Sequence, residues 1–178
     1  MKTLKSLVFS TCLLGLFLLS ACENQNSTTT EPNESLAVAV DAKSPEYIAV
    51  EATILDYVEG IYEVDSTRIE RSVHPELRKR GYWYSEKDSK YLDDLDMTYE
   101  QLVSLAAGWN KSGERANAES PKEIDIYDIN DRTASAKLTA EWGIDYFHLA
   151  NMDGKWKIVN VLWQSAPIEE GATTEASE

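Results

Sequence analysis

The sequence predicts an α+β domain in which helices come first and pack on an antiparallel sheet built from the second half. Apolar residues recur at helical spacing from Tyr47 to Ile61, and from Lys122 onward the period changes to strict alternation. Between two of the alternating runs stands Asp153-Gly154, the sequence of a two-residue hairpin turn. Helices followed by a run of strands define the α+β class.

The first helix opens at Ser44-Pro45-Glu46, with a hydroxyl cap, a proline at the first turn and an acid at the positive end of the helix dipole. Tyr47, Val50, Ile54, Tyr57, Val58 and Ile61 form its apolar stripe, and Asp56, Glu59 and Glu63 lie opposite. A shorter helix follows Asp65, pairs Ile69 with Val73 and stops at His74-Pro75, because the residue before proline disfavours helical torsions. Leu77 to Tyr84 reads as an aromatic strand and Ser85 to Asp96 as a polar, acidic loop. The third helix starts with the capping box Thr98-Tyr99-Glu100-Gln101, stapled by Met97 and Leu102, and buries Leu102, Leu105, Ala106 and Trp109. Ile124 and Ile126 begin a four-strand antiparallel meander. It continues through Ala134, Ala136, Leu138, Ala140 and Trp142, then Ile144 to Met152, and ends with Trp156 to Trp163.

The first 21 residues have a different chemistry. Lys2 and Lys5 precede an apolar run from Leu7 to Leu19 that is interrupted by Ser10, Thr11 and Cys12. A comfortable membrane span needs about 20 apolar residues, so this reads as an export signal. It ends in Leu19-Ser20-Ala21-Cys22, which resembles the lipobox of bacterial lipoproteins and implies cleavage before Cys22 and lipid on its thiol. The alternative is an ordinary secretory signal with Cys22 incidental. Cys12, the other of the two cysteines, leaves with the signal, so the mature domain has no disulfide and no thiolate metal site. Loss of Lys2 and Lys5 leaves 15 basic against 31 acidic residues, a formal charge of −16. Such a surface repels nucleic acid and anionic lipid alike, which leaves acyl chains as the means of membrane attachment. Residues 22–43, rich in Asn, Ser and Thr, suit a flexible tether with a span of about 25 Å. Residues 44–167 then form one domain and 168–178 a disordered tail. The expected location is the bacterial cell envelope, at the outer membrane facing the periplasm.

Three stretches, Tyr57-Val58-Glu59-Gly60-Ile61-Tyr62-Glu63, His74-Pro75-Glu76-Leu77-Arg78-Lys79-Arg80 and Asp153-Gly154-Lys155-Trp156-Lys157-Ile158-Val159-Asn160-Val161-Leu162-Trp163, resemble the lumazine-binding branch of the nuclear transport factor 2-like superfamily. The resemblance covers nearly the whole domain. It implies a cone in which a strongly bent sheet wraps around the helices and leaves a pocket, and the branch label implies a pteridine-like ligand. The superfamily includes isomerases, dehydratases and polyketide cyclases as well as binders, so function is not settled by the fold.

The residues expected to line the pocket follow from strand phase. Phe147 and Leu149 read as core, which puts Asp145 on their side; the opposite phase would turn Ile144, Tyr146 and His148 inward. In the last strand Trp156, Ile158, Asn160 and Leu162 share a face opposite Lys157, so Asn160 is expected inside. The candidate ligand-binding set is Tyr62, His74, Trp109, Trp142, Asp145 and Asn160. Each has a structural alternative: the tryptophans as core, His74 as a helix stop, Asp145 at a wet sheet mouth, Asn160 on strand backbone. Arg78-Lys79-Arg80, the basic cluster, reads as a solvated strand edge, with receipt of an anionic ligand as the alternative. His74 and His148 lie far apart without a metal-ligand spacing, Asp93-Asp94-Leu95-Asp96 lacks the pattern of a calcium loop, and there is no Gly-x-Ser-x-Gly elbow. No cofactor is therefore expected. The reading is a lipid-anchored envelope protein that binds a small planar ligand without catalysis. An acid–base isomerase or dehydratase with Asp145 as base and His74 or Tyr82 as donor, or a dimeric interaction subunit, are the alternatives.

Replacing Cys22 by Ser should leave unprocessed precursor and abolish metabolic labelling with palmitate; labelling that survives the substitution would refute the anchor.

Overall fold

The computed structural model describes residues 44–93 and 95–168. The signal peptide, Cys22 and the tether lie outside the described residues, as do residues 169–178 of the tail. Three helices, α1 (Pro45–Tyr62), α2 (Ser66–Ser72) and α3 (Tyr99–Ala106), accompany six strands: β1 (Val73–Ser85), β2 (Lys90–Leu92), β3 (Glu123–Ile129), β4 (Thr133–Ala140), β5 (Gly143–Met152) and β6 (Lys155–Gln164).

Local chemistry starts the helices where the sequence places them. The Ser44 hydroxyl accepts the Tyr47 N–H at 3.1 Å with Pro45 at the first position, and Asp65 caps α2 through the Thr67 N–H at 3.0 Å. Thr98 and Gln101 form the reciprocal box on α3. Val50, Ile54, Tyr57, Val58 and Ile61 of α1 are buried against the sheet. The acids on the other side of α1 gather Arg68 of α2: Asp56 at 3.2 Å, Glu63 at 2.8 Å, and Glu59.

The sheet runs β2-β1-β6-β5-β4-β3 and is open, with β2 and β3 as its edges. The meander β3 to β6 is antiparallel as expected, but β1 pairs with β6 in parallel, so the sheet is mixed rather than wholly antiparallel. Parallel pairing needs a crossover, and the chain supplies one in α3 and the meander between β1 and β6. The second helix ends one residue earlier than its apolar pairing suggested, and Val73 starts β1 instead. The polar stretch after Ser85 contains β2, which pairs with the end of β1 from Trp83↔Leu92 to Ser85↔Lys90.

One irregularity decides which side chains face the helices. His148 of β5 pairs with Asn160 of β6, whereas the next residue, Leu149, pairs with Ile158. Val159 is therefore an extra residue, a β-bulge that reverses side-chain phase along the strand. Trp156 and Ile158 point to the core on one side of it, and Val161 is buried on the other. Asn160 and Leu162 consequently face outward, a correction to the uniform alternation expected for this strand.

Two close approaches hold the open end of the sheet. Gly143 turns the chain from β4 into β5 at φ +127, where a side chain would strike the Gln164 carbonyl oxygen at 2.2 Å. Gly81 lies under the Trp163 ring, and a Cβ there would sit 2.2 Å from Nε1.

Candidate functional site

Between the helices and the inner face of the sheet lies a cavity of about 280 Å³. Tyr57 and Ile61 of α1, Leu102 and Leu105 of α3, and Lys79 and Trp83 of β1 contribute to its wall. Trp142 from the β4–β5 turn, Trp163 of β6, Met97 before α3, and Trp109 and Arg115 after it complete the lining. A few polar groups set in apolar and aromatic walls is the usual composition of a small-molecule site. A larger groove of about 590 Å³ runs along β1 and the start of α3. Its walls carry Arg78, Arg80, Asp96 and Glu100, and Arg80 and Asp96 are joined at 2.8 and 3.1 Å, so it is the less suited to an apolar ring.

The aromatic rings brace one another. Trp109 meets Trp142 edge-on at 5.4 Å, Tyr62 stacks behind Trp109 at 6.0 Å and meets Trp142 edge-on at 5.5 Å, and Tyr57 meets Trp142 at 6.3 Å. Such pairs contribute about 0.5–1.5 kcal/mol each beyond area burial, and they hold the rings in one orientation. The Tyr62 hydroxyl donates to the Pro121 carbonyl and accepts the Glu141 N–H, both at 2.8 Å; burial pushes its pKa up to about 12.

Under the rings is a buried ion pair. Lys79 Nζ stands 3.0 Å from Asp145 Oδ1, and their side chains are 6% and 0% exposed. The ammonium also donates to the Tyr57 hydroxyl at 2.9 Å, and Trp142 Nε1 donates to Asp145 Oδ2 at 2.7 Å. Lys79 further lies over the rings of Tyr57 and Trp163, at 5.6 and 5.3 Å. Burial lowers the Lys79 pKa against the opposing pull of Asp145, and burial followed by that same carboxylate pushes the Tyr57 phenol well above its ordinary value.

Of the six residues singled out from the sequence, Tyr62, Trp109, Trp142 and Asp145 come together here, although Tyr62 and Asp145 stand behind the lining rather than in it. Asp145 has the inward phase expected from Phe147 and Leu149. Two do not join the cavity. The bulge at Val159 turns Asn160 outward, where its amide donates to the Arg78 carbonyl at 3.0 Å and its oxygen lies 3.1 Å from His148 Nδ1. His74 Nδ1 accepts the Glu76 N–H at 3.1 Å, within the irregular start of β1 where the register with β6 shifts between Val73 and Arg78.

Sequence reasoning missed Lys79, Tyr57, Trp163 and Arg115. The signal for Lys79 was present: Leu77, Lys79 and Gly81 alternate with the exposed Arg78, Tyr82 and Arg80, so the middle lysine of the basic cluster shares a face with the core. Among the described residues no three His, Cys, Asp or Glu side chains group as a metal site.

Removing Lys79 as Lys79→Met should cost about 3–5 kcal/mol, because it strands a buried carboxylate. The double change Lys79→Met with Asp145→Leu should recover much of that loss. Urea unfolding of both variants reads this directly; a single-variant cost near zero would show that the pair does not organise the core.

Comparison with a solved structure gives the same fold. An NTF2-like protein of unknown function from Shewanella baltica OS155 is 22% identical with a TM-score of 0.51, the match covering 69% of this chain and 95% of that one. Another from Methylobacillus flagellatus KT is 20% identical with a TM-score of 0.47, covering 70% and 95%. No curated protein matches the chain. The model of the family described as "Putative lumazine-binding" matches residues 45–164, from the first residue of α1 to the end of β6, and the chain belongs to that family.

Proposed function

We propose that this domain binds a small planar ligand in the aromatic cavity and does not transform it. The observation that carries the reading is the state of Asp145, the carboxylate closest to the rings. A general base needs a lone pair within reach of its substrate, and both Asp145 oxygens are engaged, by Lys79 and Trp142, at a position with no exposure. The donors considered for acid–base chemistry lie elsewhere, His74 bonded to the Glu76 N–H at the start of β1 and Tyr82 exposed on the outer face. What the cavity offers is ring faces. At about 280 Å³ it lies near the lower end of ligand pockets, roughly 300–1,000 Å³, which suits one or two fused rings. The family description favours a pteridine among such ligands.

The anchor and the location are part of the same proposal. The mature chain is held by lipid on Cys22, at the outer membrane facing the periplasm. A second reading concerns assembly and has its own observation. Tyr146 and Leu162, directly paired across β5 and β6, are 44% and 47% exposed on the outer face of the sheet, and Tyr127 is 54% exposed. Exposed aromatic and aliphatic residues of this kind suit a back-to-back homodimer.

Titration of the purified protein with lumazine should quench tryptophan fluorescence saturably, and Trp109→Leu should weaken binding by about 0.5–1.5 kcal/mol, the scale of one lost aromatic pair. Linear, unsaturable quenching would refute the pocket reading. Sedimentation should give a dimer that Leu162→Glu converts to a monomer; a monomeric parent protein would refute the assembly.

A further inference from the structure

In an acidic chain, with 31 acidic against 17 basic residues, the wall of the aromatic cavity holds Lys79 and Arg115 and no Asp or Glu among the described residues. The two cations are not equivalent. The charge of Lys79 is matched internally by Asp145, whereas Arg115 has no carboxylate partner among the described residues and places its guanidinium 5.5 Å from the centre of the Trp109 ring.

The position of Arg115 is built into the fold. Asn110 is buried and uses its whole amide: Nδ2 donates to the carbonyls of Tyr62 and Ala116 at 2.8 and 2.9 Å. Oδ1 accepts the N–H groups of Arg115 and Ala116 at 3.0 and 3.2 Å. The loop after α3 is thereby fastened to the end of α1, with Arg115 at the solvent side of the cavity.

The unused hydrogen-bonding capacity of the wall is also of one kind. Arg115 offers its guanidinium, Lys79 has engaged two of three ammonium protons, and Trp163 Nε1 is buried with no partner among the described residues. All are donors. A neutral ring can answer them only through carbonyl or ring-nitrogen acceptors, whereas an acidic substituent answers them with charge-assisted bonds, which are about twice as strong.

We infer that the ligand of this cavity is a planar ring that carries a negative charge, a carboxylate or comparable acidic group, and that Arg115 receives that group at the mouth. The inference rests on the ligand-binding reading above and goes beyond it in fixing the ligand's charge. Arg115 is exposed, so its attraction weakens as salt rises.

The test uses two probes of one shape, quinoline-2-carboxylate and quinoline-2-carboxamide, titrated calorimetrically into the purified protein and its Arg115→Gln variant. The carboxylate should bind at least about tenfold more tightly than the carboxamide, as one charge-assisted bond implies, and Arg115→Gln should remove most of that preference. Because Arg115 is a surface residue, the variant should keep the parent's unfolding midpoint. Equal binding of the two probes overturns the inference and leaves the pocket reading standing, and so does a preference that survives Arg115→Gln. If neither probe binds, the inference fails, and the lumazine titration decides whether the pocket reading fails with it.

Discussion

The buried pair of Lys79 and Asp145 is the constraint around which the domain is arranged. Two charges removed from water cost several kcal/mol each, and attraction offsets this only where geometry is good and the remaining protons and lone pairs are answered. Here they are answered from three sides: Tyr57 on α1, Trp142 from the β4–β5 turn, and the pair itself bridging β1 and β5 across β6. Each partner is an aromatic residue of the cavity or its support. The electrostatic requirement of the pair and the orientation of the rings are therefore one problem with one solution.

That solution depends on strand phase, and phase on β6. Val161 of β6 is the parallel neighbour of Lys79, and Trp163 lies between Gly81 and Asp145 in the next row. Without the extra residue at Val159, the face of β6 that begins with Trp156 and Ile158 would continue through Asn160 and Leu162. Trp163 would then leave the cavity, and Leu162 and Asn160 would enter it. The bulge lets one strand pack Trp156 and Ile158 at its start and present Val161 and the Trp163 indole on the same side at its end. Gly81 completes the arrangement, since any Cβ would displace that indole.

Charge is distributed unevenly, and the unevenness bears on function. Acidic side chains crowd the outside of α1, where Arg68 draws three of them together. The cavity excludes them. A negatively charged exterior around a cavity rich in donors gives up long-range steering of an anion in favour of local recognition at Arg115, which suits a binder that discriminates by contact.

While it left two phases open for Asp145, the sequence by itself determined what rests on local periodicity and local chemistry: the Ser44 and Thr98 caps, the stripe of α1, the Asp153-Gly154 turn and the order of helices before the meander. These depend on residues a few positions apart, so the chain carries them openly. The aromatic residues Tyr62, Trp109 and Trp142 were legible as a group because each stood on, or within a turn of, the apolar face of a recognisable element, although Trp109 and Trp142 fall just past the ends of α3 and β4. Only the tertiary structure decided the rest. Pairing β1 with β6 in parallel joins residues about 80 positions apart, such as Lys79 and Val161, and no local pattern records it. The bulge at Val159 turned Asn160 outward because a register shift belongs to two strands at once, and one strand's alternation cannot show it. Lys79 read as solvated because a lysine is rarely buried without a partner, and its partner lies 66 residues further along the chain.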